Sequence, residues 1–187
     1  MKTQLAVTFR SVAMALLVLS VAWAGPAAAK SAAEIDAGVD QALVEFKEKV
    51  KTAPALLDRA AGVLVFPSVI KAGIGVGGEY GEGALRIGGK TVDYYSTAGA
   101  SFGFQFGAQA KTVILVFLEQ DALDKFRNSA GWEVGVDGSV ALVEVGAGGS
   151  LDTTKLQQPI VGFVIGQKGL MYNLTLEGTK MTKLVRD

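Results

Sequence analysis

Between Gly62 and Gly178 the chain carries 22 of its 24 glycines, and valine, leucine, isoleucine and phenylalanine interleave with them throughout. That interleaving separates the region from a low-complexity linker, which has too few apolar side chains to build a core. Inside a strand or helix each glycine costs about 0.5–1 kcal/mol relative to alanine. Strands accept that cost where a sheet bends steeply or a second backbone comes close. The expectation is an α+β domain, predominantly antiparallel β, whose sheet is strongly curved and barrel-like or sandwich-like.

The local patterns agree with strands. Phe102, Phe104 and Phe106 alternate with Ser101, Gly103, Gln105 and Gly107, so one face is aromatic and the other nearly bare. Val113 to Leu118 is continuously apolar and reads as a strand buried on both faces. Asp121 to Arg127 reads as a short helix, Trp132 to Val145 as a hairpin around Asp137-Gly138, and Leu170 to Leu176 as a strand after the Gln167-Lys168-Gly169 corner. Before Gly62 the period is helical. Ser31 and Glu34 have capping-box spacing, and Ile35, Val39, Leu43, Phe46 and Val50 form one stripe. Acids lie early and lysines late, as the helix dipole favours, and the helix should end near Thr52. Pro54 then opens a shorter helical turn with Leu56 and Leu57.

The first 29 residues read as a cleavable export signal: Lys2 and Arg10, an apolar run from Val12 to Ala24, and a small-residue end at Ala27-Ala28-Ala29. The run is shorter than the ~20 residues a spanning helix needs. With no cysteine in the chain, a thiol-linked lipid anchor and disulfides are both excluded. Residues 30–187 are then one domain. Losing two bases leaves 16 Lys and Arg against 18 Asp and Glu, so no global field favours nucleic acid.

Without histidine or cysteine there is no Ser-His-Asp triad, no cysteine nucleophile and no ordinary zinc or blue-copper site. Two tight clusters remain, Glu79 with Glu82 and Asp93 with Tyr94 and Tyr95; the first would serve as an acid/base pair or hold calcium. Residues 73–78 satisfy G-x-G-x-x-G, with Asp93 twenty residues after Gly73. The dinucleotide fingerprint needs a helix directly after the third glycine, and Glu79 to Gly83 does not provide one. Asn173-Leu174-Thr175 is formally a glycosylation sequon placed mid-strand. The reading is a protein that is not an enzyme and has neither cofactor nor metal.

Gly62 to Ser68, Lys71 through Gly83, Tyr94-Tyr95-Ser96, Gly131-Trp132-Glu133 and Lys168 to Met171, in this order and spacing, resemble the SYLF domain, also called the Ysc84 actin-binding domain. The resemblance implies a lipid-binding module. Eukaryotic members bind phosphoinositide-containing membranes and some bundle actin, and an N-terminal amphipathic helix is implicated in membrane contact. Bacterial members are typically exported. Actin is not an expected partner in that compartment, and no SH3 or FYVE module accompanies the domain.

The residues themselves offer two routes to lipid. The stripe Ile35, Val39, Leu43, Phe46 and Val50 either lies in a membrane interface or packs on the core, and its polar face is rich in acids. Lys71, Arg86, Lys90 and Lys111 fall in or beside the glycine-rich hairpins, where they either hold a phosphate with backbone N–H groups or are solvated surface charges. Lys71 is the first choice among them. The expectation is a periplasmic or peripheral envelope protein that binds a phospholipid membrane or headgroup. The alternative is a structural module that self-associates or binds an envelope protein through a sheet edge.

Overall fold

A computed structural model describes residues 29–103, 108–143, 154–166, 169–170 and 176–186, with backbone alone at 72–76, 101–103, 108 and 169–170. The expected export signal and the sequence features at Phe104, Phe106 and 171–175 therefore lie outside the described residues. Residues 31–187 form one compact unit.

Helix α1 (Ala32–Lys49) starts where the sequence signals it. The Glu34 amide donates to Ser31 Oγ at 3.3 Å, and the Ser31 amide donates to Glu34 Oε2 at 2.8 Å, closing the capping box. A short helix α2 (Ala53–Arg59) follows, with proline in its first turn.

The chain then enters one eight-stranded sheet. Its strands are β1 (Gly62–Ile87), β2 (Lys90–Gly103), β3 (Ala108–Phe117), β4 (Trp132–Glu133), β5 (Ala141–Leu142), β6 (Ile160–Gly166), β7 (Gly169–Leu170) and β8 (Lys180–Leu184). Helix α3 (Gln120–Asn128) lies between β3 and β4. The order is β4-β8-β2-β1-β3-β6-β5, with β7 on β6, and every pairing is antiparallel except β5 with β6.

At 26 residues, β1 is about fivefold longer than a typical strand, and it serves two neighbours in turn. Gly62 to Ala72 pairs β3, whereas Gly75 to Ile87 pairs β2. Between them the strand folds back on itself. A Cβ on Gly83 would stand 2.0 Å from the Val65 carbonyl oxygen, and one on Gly81 would stand 2.8 Å from Val69 Cγ2. Only glycine permits that approach, and here the glycine density takes structural form as sheet curvature. Gly88 and Gly89, at φ 55° and 78°, then make the two-residue turn into β2.

Strand alternation sends side chains to two cores. One face carries Val63, Val65, Ala84, Ile114, Val116, Val161 and Phe163 against α1 and α2. The other carries Leu64, Phe66, Leu85, Tyr95, Leu115 and Phe117 against α3 and Trp132. Phe126 of α3 is the hub there, 4.8 Å from Tyr95, 5.0 Å from Phe117 and 5.5 Å from Trp132 between ring centres. All of Val113 to Phe117 is buried, as expected of a strand covered on both sides.

One expected hairpin is absent among the described residues. Instead of pairing across Asp137-Gly138, the segment after Trp132 makes its turn at Gly135, φ 89°, and β4 and β5 join opposite edges of the sheet. Two short strands separated by a turn pair with each other only if no longer strand competes, and here β8 and β6 do.

Candidate functional site

The four candidate cations fall into two groups at opposite ends of the folded-back strand. Arg86 and Lys90 flank the Gly88–Gly89 turn, where Arg86 Nη1 donates to the Gly89 carbonyl at 3.2 Å. Lys71 pairs with Gln109 in the β1–β3 ladder, which makes Lys111 its diagonal neighbour on the same face.

Within each group one cation is engaged and one is not. Arg86 Nη2 reaches Asp40 at 2.9 Å and Asp36 at 3.5 Å, both on α1. Asp36 also accepts hydrogen bonds from Thr91 Oγ1 at 2.6 Å and from the Tyr94 hydroxyl at 2.9 Å. Arg86 thus belongs to a polar clasp that ties α1 to the β1–β2 hairpin. Burial, and then the bond to Asp36, holds the Tyr94 phenol above its ordinary range. Lys111 is 7% exposed and donates to Glu79 Oε2 at 2.7 Å, its partner being 8% exposed. Lys90 is exposed and Lys71 half-buried, and neither has an ion pair among the described residues.

The helical stripe is in the core. Ile35, Val39 and Phe46 are fully buried, Val50 nearly so, and Leu43 packs beside them. Phe46 meets Phe163 at 4.7 Å. For the stripe to touch lipid, α1 would have to leave the sheet. Among the described residues no helix is long and apolar enough to cross a membrane.

The carboxylate clusters also separate. Glu79 and Glu82 are three apart on a strand, so they point to opposite faces. Glu79 takes Lys111, while Glu82 accepts from Arg186 Nη2 at 2.7 Å and from the Tyr80 hydroxyl at 2.9 Å. They share neither a proton nor a cation site. Asp93 binds Arg127 at 3.3 Å and Lys183 at 2.5 Å. Residues 73–78 are strand, followed by more strand, so the dinucleotide fingerprint has no helix to open.

What remains is the open end of the sheet. Ala110 shares a face with Ile114 and Val116, which α1 covers, and Tyr80 shares a face with Ala84, also covered. Beyond the helix two side chains of that face are exposed: Ile70, opposite Ala110, is 52% exposed, and Tyr80, opposite Ala98, is 51% exposed. Lys71 sits next to Ile70 on the strand's other face. Beside them a cleft of about 170 Å³ is lined by Glu45 of α1, Pro67, Ala110, Lys111, Thr112 and Ile165 among others. Sequence reasoning missed Ile70, Tyr80, Glu45 and the cleft. Ile70 and Tyr80 look like ordinary strand residues until the length of α1 decides which part of the face is covered.

Residues 98–185 match the Ysc84 family model, described as Las17-binding protein actin regulator. No curated protein matches the chain. The matched segment runs from the second half of β2 through β8. It contains Lys111, Gly131-Trp132-Glu133 and Lys168 to Met171, and it excludes α1, Lys71, Arg86 and Lys90.

Proposed function

We propose that this protein, whose residues 98–185 match the Ysc84 family model, a model of a binding-module family associated with lipid and actin, is a non-enzymatic lipid-binding module of the cell envelope. Export by residues 1–29 is part of the proposal, and it takes actin out of reach. The observation that carries the reading is the open end of the sheet: Ile70 and Tyr80 are exposed there, and Lys71, next to Ile70, has no ion pair among the described residues. Apolar tips insert at the headgroup boundary and a lysine there meets phosphate. Contact through this end leaves α1 on the core.

The test is flotation of residues 30–187 with vesicles of graded anionic content. Wild type should float increasingly with anionic lipid, and less in high salt. Lys71→Ala should weaken binding about fivefold, the ~1 kcal/mol of one lysine near an anionic surface, without changing the unfolding midpoint. Unchanged binding by this variant rules out the open end as the contact.

A second reading has one observation behind it. Strand β8 pairs β2 along its length but pairs β4 only at Lys180 and Met181, leaving Thr182 to Leu184 as an edge. Edge pairing with a second copy or an envelope protein would use it. Mass that rises with protein concentration, together with no flotation on any lipid, would favour this reading over the first.

A further inference from the structure

Two nearly buried charges sit on the sheet face away from α1. Lys111 donates to Glu79 Oε2 at 2.7 Å, and the two side chains are 7% and 8% exposed. Their place follows from register. Lys111 lies opposite Val69 in the β1–β3 ladder, and Val69 belongs to the core of Leu64, Phe66 and Tyr95. Glu79 lies opposite Gly99 in the β1–β2 ladder. A Cβ on Gly99 would stand 3.5 Å from Glu79 Cγ and 3.2 Å from Thr179 Oγ1, so both side chains reach the space over that glycine. Lys71, two residues beyond Val69, shares this face as the diagonal neighbour of Lys111.

What these groups leave unused sets the chemistry. The Lys111 ammonium has three donors, and Glu79 takes one. Glu79 Oε1 and the Thr179 hydroxyl have no hydrogen-bond partner among the described residues, although Thr179 is 4% exposed. Nearly buried polar groups without a protein partner call for another one. Glu79 cancels the charge of Lys111, and half-buried Lys71, with no acid partner among the described residues, leaves this face one positive charge. A monoanion offsets it, whereas a dianion would put uncompensated negative charge beside Glu79 in a poorly solvated place. A monoanion without an O–H or N–H would still leave Glu79 Oε1 with nothing to accept.

We infer that this face is a subsite for a phosphodiester monoanion that carries a hydroxyl, its anionic oxygens on Lys71 and the spare Lys111 donors, its hydroxyl donating to Glu79 Oε1 beside Thr179. The inference rests on the lipid reading for phosphodiester as the anion. Burial orders the contacts. The charged group, costlier to desolvate, stays at half-buried Lys71, and the neutral hydroxyl goes to the nearly buried carboxylate. Lys71 then supplies affinity for any anion, while Glu79 and Thr179 supply selectivity for the hydroxyl. A polyol phospholipid headgroup and a soluble glycerophosphodiester share this chemistry.

The experiment compares residues 30–187 on phosphatidylcholine vesicles doped equally with phosphatidylglycerol or with phosphatidylmethanol, which has the same charge and no hydroxyl, beside titration with soluble glycerophosphoglycerol and dimethyl phosphate. Wild type should prefer phosphatidylglycerol about tenfold, the scale of one hydrogen bond to a charged group. Lys71→Ala should weaken binding to both lipids alike and leave that ratio standing. Glu79→Gln keeps a hydrogen-bonding partner for Lys111 and should bring the ratio close to one without loss of anion binding, an effect that a merely structural pair would not produce. Where Glu79→Gln does not fold, Thr179→Val carries the same test and should reduce the ratio. Equal wild-type binding to the two lipids overturns the inference, as does a ratio unchanged in the folded variant. Absence of flotation on either lipid overturns the lipid reading; saturable glycerophosphoglycerol binding, not shared by dimethyl phosphate and lost in the variant, then upholds the subsite for a free ligand, and its absence overturns the subsite too.

Discussion

The two ends of the same sheet face are built from similar residues and have opposite fates. At the covered end, Ile35, Val39 and Phe46 lie on Ala84, Ile114 and Val116, and Asp36 collects Arg86, Thr91 and Tyr94 into the clasp that holds the helix. At the open end, Ile70 and Tyr80 continue that face about half exposed, and Lys71 has no acid partner among the described residues. An amphipathic stripe is therefore not in itself a membrane signal. Its apolar side chains are available only if the domain does not already need them, and here the domain uses all five.

The sharpest way to break this comparison is Phe46→Ala. If the stripe is core, the variant loses a fully buried ring packed at a tilt against Phe163, 4.7 Å between centres, and should lose about 3–5 kcal/mol of stability. Urea unfolding measures it. Full stability with lost vesicle binding would reverse the assignment of the two ends.

Local structure was legible because its causes are local. The capping box needs only Ser31 and Glu34, and β3 announces its double burial through six consecutive apolar residues from Val113 to Leu118. The glycine density foretold curvature, yet it did not say that β1 would fold back at residues 72–75 and place Gly83 against the Val65 carbonyl. Partners at long separation were not legible either. Lys111 finds Glu79, 32 residues away, and Arg86 finds Asp36, 50 away. Those pairs depend on register and on how α1 lies across the sheet, and neither is written in spacing. For that reason two of the four candidate cations proved to be engaged by acids. The Trp132 to Val145 segment misled for a related reason: a turn can be read from its residues, but the edge to which each flanking strand adds depends on strands encoded elsewhere.

A smaller effect separates the two faces of β2. Tyr94 and Tyr95 are chain neighbours pointing oppositely, and only Tyr94 has a hydroxyl partner, Asp36 on α1. Tyr95 is 2% exposed and its hydroxyl finds no hydrogen-bond partner among the described residues. Burial, then the charge of Asp93, pushes its phenol up to about 12. A folded-state value above the ordinary 10 means that stability is fully present below pH 10 and is lost as pH rises from 10 towards 12. Tyr95→Phe should gain about 1 kcal/mol at neutral pH by removing the orphaned hydroxyl and should flatten the alkaline loss. Tyr94→Phe should instead lose stability at neutral pH, because it removes the hydrogen bond to Asp36, while it too flattens the alkaline loss, since that phenol is also raised. Urea midpoints at pH 8 and pH 11 distinguish them. A destabilised Tyr95→Phe would mean that the hydroxyl is satisfied after all.

The smallest effect on stability belongs to the open end, and its smallness is the point. Ile70 is half exposed and lies opposite exposed Ala110, so Ile70→Ser removes little buried area. The unfolding midpoint should stay within about 0.5 kcal/mol of wild type, as for surface substitutions away from packed features. The same change takes an apolar side chain off the surface that would enter the headgroup region, so flotation should fall several-fold while the fold is intact. Phe46→Ala and Ile70→Ser then form a crossed pair, one moving stability and the other binding. If Ile70→Ser instead lowers stability by 2 kcal/mol or more, the bare face is covered in solution, and a second copy seated there becomes the first partner to seek. If it changes neither quantity, the open end is solvent-facing surface, and lipid contact must be sought around Lys90 and the Gly88–Gly89 turn at the far end of β1.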